Sequence, residues 1–436
     1  MSLAPHTTTL PTGLTLITIP MESVRSVTTM AMVNTGSRYE DESRAGIAHF
    51  LEHMVFKGTK QYPDAQTIAR SVDAIGGESN AFTSKEYTGY YVTAASQHIQ
   101  TAVSIVSDQM LQPLFRQEDI DRESGVIIEE INMYADTPAR QVGVQFESLL
   151  YAGGLKRDVL GTKETVASLT TADFQAFMNE WYGQENMVLV LAGDSTVVDH
   201  SDTLAYVTEC FDIESNRSGK KDVRSGMKTT PFTFDLLSVQ HKDTEQAHLV
   251  LGWPQEGRHA GNKHARILVA TILGGTMSSR LFSEVREKRG LCYYVHSDSD
   301  VYHDSGSMGA SAGVDPTRIH EALEVITSEF AATADGSKPL TTEELETAKA
   351  YISGSTTLRM ESSKSVAQHF GLRRILEDSD ETVEETLEKI NAVSLKQVNE
   401  LCAKLFQPGA MRLAVIGPYK DEDEFRKYTN LTKTHL

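Results

Sequence analysis

His49-Phe50-Leu51-Glu52-His53 is the stretch on which the reading of this chain turns. At about 3.6 residues per turn, His49, Glu52 and His53 share one face of a helix and converge on one point. Their neighbours Ile47, Ala48, Phe50, Leu51, Met54, Val55 and Phe56 are apolar, so the helix is expected to be buried almost all round. Burying two imidazoles and a carboxylate without partners costs on the order of several kcal/mol, comparable to the whole stability of a marginal domain. A metal ion relieves that cost. These five residues leave a second reading open, in which the histidines satisfy backbone or carboxylate groups of a packed core. Two histidines are also too few, because a catalytic zinc takes three protein ligands and keeps one position for water.

The candidate third ligand lies in Asp121-Arg122-Glu123-Ser124-Gly125-Val126-Ile127-Ile128-Glu129-Glu130-Ile131-Asn132-Met133, a helix-like stretch with an apolar face and several carboxylates. Glu123 and Glu130 are two turns apart and share a face, whereas Glu129 points about 100° away, as a solvated residue does. Periodicity alone leaves open which face meets the metal.

The rest of the chain sets the context. Its 436 residues exceed the usual single-domain size, and 40% hydrophobic with 23% charged residues is the composition of a folded protein. A formal charge of -19 and the absence of a basic stripe exclude a general nucleic-acid binder. Cys210, Cys292 and Cys402 are widely spaced with no CxxC pair, which speaks against a disulfide framework or a thiolate zinc site and for a reducing compartment. Met1 to Pro11 lacks the features of a secretory signal or a mitochondrial presequence, and no apolar run approaches the roughly 18 residues of a membrane span. A cytoplasmic protein without membrane attachment is the expectation.

A weak internal repeat organises the chain. Ser168-Leu169-Thr170-Thr171 opens a helix-like stretch through Phe174, Phe177 and Trp181, followed by the strand-like Met187 to Asp194. Half a chain later, Ser394-Leu395-Lys396 opens a similar stretch through Val398, Leu401 and Leu405, followed by Met411 to Pro418. The strand Thr28 to Val33 with the Ile47 to Phe56 helix has a counterpart in His248 to Gly252 with the Ala265 to Leu273 helix. The expected architecture is α+β, two homologous half-domains, each a mainly antiparallel sheet packed with helices. The halves are expected at 1–215 and 230–436, with a polar linker at 216–229 that holds the basic run Arg217-Ser218-Gly219-Lys220-Lys221. The second copy has Ile272-Leu273-Gly274-Gly275-Thr276 near where the first has its His-Glu-His cluster, so only the first retains metal-binding chemistry.

His-x-x-Glu-His followed by a glutamate 77 positions after the second histidine resembles the inverzincin peptidases of the pitrilysin family. Insulin-degrading enzyme and the mitochondrial processing peptidase belong to it. The resemblance implies that His49, His53 and Glu130 hold one Zn²⁺ in the catalytic half, with Glu123 supporting a ligand from behind. Asn80-Ala81-Phe82-Thr83 looks like the family's Asn-Ala-x-Thr edge strand, which receives an extended peptide as an added strand. Arg286 and Tyr293 match an Arg and Tyr that, in the family, reach across an enclosed cavity toward substrate. The implied activity is that of a zinc metalloendopeptidase acting on extended peptides, with zinc-activated water and Glu52 as general base.

Two half-domains, where some relatives carry four, resemble the short subfamily that assembles from two chains. A homodimer or a heterodimer with an inactive paralogue is therefore expected. The Gly-rich loop of the processing peptidase's inactive subunit is not recognisable, which favours self-association. An alternative within the same fold is a structural subunit of respiratory complexes, but there the zinc motif is eroded. A metal-binding protein without peptidase activity would have no need of Glu52.

Overall fold

The computed structural model describes residues 3–213, 217 and 235–429. Apart from Arg217, the expected linker at 216–229 lies outside the described residues. The chain forms two compact units, Met1–Asn132 with Arg157–Ser225 and Ser355–Thr386, and Met133–Lys156 with Gly226–Gly354 and Leu387–Leu436.

The first unit holds a six-stranded sheet of β1 (His6–Thr9), β2 (Thr15–Met21), β3 (Ser26–Val33), β4 (Glu78–Thr83), β5 (Thr88–Ala95) and β6 (Met187–Asp194), in the order β1-β2-β6-β3-β5-β4. Only the β2–β6 pair is parallel. The second unit holds β7 (Leu237–His241), β8 (Ala247–Glu256), β9 (Cys292–Val301), β10 (Ser305–Val314) and β11 (Arg412–Gly417), in the order β7-β11-β8-β10-β9. Here only β7–β11 is parallel. Without β1, the first sheet repeats the second strand for strand, which is the duplication expected from the sequence.

The central strands β3 and β6 are buried on both faces, so each sheet needs apolar cover on two sides. In the first unit one face packs with residues of the Ile47–Met54, Ile99–Leu111 and Thr171–Trp181 helices in one core. The other face is covered by the Ser363–Glu377 helix, which packs on β3 and β6 through buried Val366, Ala367 and Phe370. A Cβ at Gly371 would stand 2.5 Å from Met32 Sδ and 3.3 Å from a Val190 methyl, so a side chain there would require the Met32 side chain to move aside. In the second unit the Pro138–Leu150 helix does the same for β8 and β11, with Val142, Phe146, Leu149 and Leu150 buried against Ala414 and Ile416.

The compact units therefore differ from the contiguous division at 1–215 and 230–436. Each takes one covering helix from the other half of the sequence. Among the described residues no helix is long and apolar enough to cross a membrane.

The Ser363–Glu377 helix carries a pH-sensitive group. Burial, with Arg373 and Arg359 nearby, pushes the His369 imidazole down to about 4. A histidine depressed on folding contributes stability above its unfolded value of about 6.5, and that stability is lost as pH falls through about 4. His369→Gln is expected to flatten this part of the acid loss, by at most about 3 kcal/mol between those limits. Urea unfolding midpoints of the two proteins from pH 7 to 4 measure it.

Candidate active site

The Ile47–Met54 helix begins after Gly46, whose φ of +95° favours glycine. A Cβ there would also stand 2.5 Å from the Leu160 carbonyl oxygen. Ile47, Ala48, Phe50, Leu51 and Met54 fill the core, which leaves His49, Glu52 and His53 together on the remaining face. Of these three, His49 is buried, at 9% exposure. The imidazole rings of His49 and His53 lie 4.7 Å apart, centroid to centroid.

The Gln117–Ala135 helix supplies the carboxylates. It packs through Ile120, Glu123 and Ile127, which brings Glu130 to the same side one turn further on. Glu130 Oε2 lies 3.8 Å from His49 Nε2 and 3.7 Å from His53 Nε2. One ligand atom from each residue falls within 4.8 Å of the others, the one such group among the described residues. Two imidazole nitrogens and a carboxylate oxygen suit zinc, whose ligands in a tetrahedral site stand about 3.4 Å apart when each bond is about 2.1 Å. The cluster fits the ion with small closure.

Glu123 stands behind this group. Its Oε1 pairs with His53 Nδ1 at 2.9 Å and its Oε2 with Lys57 Nζ at 2.5 Å. Desolvation would raise its carboxyl, but the bonds from His53 and Lys57 outweigh that and hold it below the ordinary range. A carboxylate on Nδ1 leaves Nε2 as the free ligand atom of His53. Glu129 is exposed and accepts a bond from Asn132, as a solvated residue.

Glu52 receives a short hydrogen bond on Oε2 from Thr83 Oγ1. Burial pushes its carboxyl up, an effect that Thr83 and His53 oppose and Glu130 adds to. Thr83 ends β4, the terminal strand of the sheet, where Asn80, Ala81, Phe82 and Thr83 pair with Tyr91, Tyr90, Gly89 and Thr88. The Asn80 side chain accepts from the Ala81 N–H, and the Phe82 ring meets Tyr87 edge to face.

Arg286 and Tyr293 belong to the second unit. The Arg286 guanidinium lies 4.9 Å from the Phe282 ring centre and 5.7 Å from that of Tyr293, and Tyr293 is 75% exposed. The two stand beside each other on that unit's surface.

Sequence reasoning missed two contributors. Lys57 follows His53 by four residues, a helical spacing that was a usable signal. Glu40 accepts hydrogen bonds from the Gly46 and Ala48 N–H groups, both at 2.8 Å. No local pattern announces it, because a capping box seeks its carboxylate inside the first turn.

A His-Glu-His face, a carboxylate from a second helix as third ligand and an adjoining sheet edge define the class of a metallopeptidase. The sequence model described as Insulinase (Peptidase family M16) matches residues 16–163, and that described as Peptidase M16 inactive domain matches residues 168–352. An uncharacterized zinc protease of Mycobacterium leprae is 36% identical over 94% of this chain and 91% of its own length. One of Bacillus subtilis is 36% identical over 91% of this chain and 94% of its own. Among solved structures, a protease from Helicobacter pylori superposes with a TM-score of 0.88 at 20% identity, covering 96% of this chain and all 100% of that one. The chain belongs to peptidase family M16.

Proposed function

We propose that this chain is a zinc-dependent endopeptidase that cleaves extended oligopeptides or unfolded segments. The convergence of His49, His53 and Glu130, with Glu52 on the same face, is the observation that carries the reading. One Zn²⁺ held by those three residues would supply Lewis acidity to the scissile carbonyl and acidity to a water. The remaining steps fall to the chain's own groups. Glu52 takes the proton of the attacking water and returns it to the leaving amine, with Thr83 fixing one of its oxygens so that the other faces the reaction. Glu123, held by Lys57, keeps the His53 ring in orientation.

The outer edge of β4 receives the peptide backbone as an added strand, which selects an extended conformation more than particular side chains. Arg286 and Tyr293 act as substrate contacts; a guanidinium and a phenol side by side suit a peptide carbonyl. A dimer, formed with a second copy or with an inactive paralogue, completes an enclosed chamber in this reading. A cytoplasmic setting accords with three widely spaced cysteines that form no disulfide.

Chelation and reloading tests the activity. The purified protein is expected to cleave a mixed peptide library, to lose cleavage with a chelator and to regain it with zinc. Cleavage that survives chelation overturns the reading, and a protein with neither metal nor cleavage is a scaffold. The cleavage sites also report on substrate charge. A preference for Lys or Arg near the scissile bond is the expectation for acidic walls in a chain of charge -19.

A further inference from the structure

The first turn of the Ile47–Met54 helix has no side-chain cap at its own N-cap residue, Gly46. The first N–H groups of a helix lack internal partners and must find them elsewhere. Here Glu40, six residues upstream, presents Oε2 to Gly46 N and Oε1 to Ala48 N, both at 2.8 Å. Its side chain is buried, at 6% exposure, so water is a poor substitute for either oxygen. The charge suits its place, since a helix N-terminus favours an anion and charge-assisted bonds are about twice as strong as neutral ones. Burial, partly offset by the two N–H groups and by Arg157 and Lys85, pushes the carboxyl up to about 7.

Glu40 is itself tied down. Its carbonyl accepts from Arg157, whose own carbonyl accepts from Lys85. Ser37 and Arg38 donate backbone bonds to Ser84 and Lys85, and Arg38 forms a buried ion pair with Glu86 at 2.7 Å. Residues 84–86 follow directly on β4. One short segment thus grips both the helix that carries His49, Glu52 and His53 and the turn that ends the Asn80–Thr83 strand.

We propose that Glu40 is a positioning residue for the metal centre: by holding the Gly46 and Ala48 N–H groups with one buried carboxylate, it fixes the turn from which His49 projects and the register of that helix against Thr83. The inference rests on the zinc-site reading above. A glutamine at position 40 keeps the volume but accepts only one of the two N–H groups and turns its amide against the other.

The test compares native protein with Glu40→Gln and Glu40→Asp, whose shorter side chain does not span both N–H groups. Three readouts are taken: zinc affinity by chelator competition, the absorption bands of the cobalt-substituted protein, and amide exchange of the peptide covering residues 46–54. For each variant a zinc Kd weakened by about 10- to 100-fold is expected, the range for loss of groups that orient ligands. Shifted cobalt bands and faster exchange in that peptide accompany it. A variant with a lower unfolding midpoint but native zinc affinity and cobalt bands gives Glu40 a purely structural role and overturns the proposal. If Glu40→Gln does not fold, the same outcomes measured on Glu40→Asp support or overturn it. Native protein that takes up neither zinc nor cobalt refutes the zinc-site reading itself, and the proposal with it.

Discussion

A Glu52→Gln enzyme is expected to hold as much zinc as the native chain and to cleave peptides with a kcat lower by about 10²–10⁴, the contribution of a positioned general base. The substitution keeps the shape of the side chain, and Thr83 still finds an oxygen to donate to. Glu52 is not in the ligand group of His49, His53 and Glu130, so metal affinity has no reason to fall. What the amide lacks is a basic oxygen for the proton. Because the proton moves only in the reaction, KM should change much less than kcat. Metal analysis of the purified variant beside its steady-state kinetics gives both numbers. A variant that cleaves at the native rate removes Glu52 from the mechanism, and one that loses zinc makes it a ligand.

Glu130→Gln is expected to fail in the opposite way, by losing the metal. Structural zinc sites with four protein ligands have apparent affinities of about 10–16 kcal/mol, which gives about 2.5–4 kcal/mol for each ligand, or two to three decades in Kd. The amide is neutral and a weak ligand, and the negative charge that balances the ion is gone. Cleavage should fall with the metal and return in part when zinc is raised, a rescue that Glu52→Gln must not show. Glu129→Gln is the control, because Glu129 is exposed and faces away from the cluster. If it loses zinc while Glu130→Gln retains it, the third ligand has been assigned to the wrong carboxylate.

The local parts of this site were legible in the sequence. Helical periodicity was enough to put His49, Glu52 and His53 on one face, since all three lie within about two turns. The repeated pattern of strand and helix predicted two sheets of one plan, and β2-β6-β3-β5-β4 and β7-β11-β8-β10-β9 share that plan. The choice between Glu123 and Glu130 was not legible from periodicity, because both share a face and only the packing of Ile120 and Ile127 sets the depth of each. The spacing of 77 residues from His53, shared with the family, selects Glu130. Glu40 was invisible for a similar reason, since it caps a helix to which it does not belong.

The division into units shows a further limit. The helices Pro138–Leu150 and Ser363–Glu377 each cover a sheet built mainly from the other half of the chain. A covering helix needs only an apolar face, and that face carries no record of which sheet it meets. Halves drawn at the linker therefore captured the duplication and missed the exchange.

Anomalous diffraction at the zinc edge from crystals of the zinc-loaded protein tests the central claim most directly. One peak per chain is predicted, within about 2.0–2.2 Å of His49 Nε2, His53 Nε2 and a Glu130 carboxylate oxygen. Zinc bound elsewhere, or no peak in a preparation that cleaves peptides, would contradict the account.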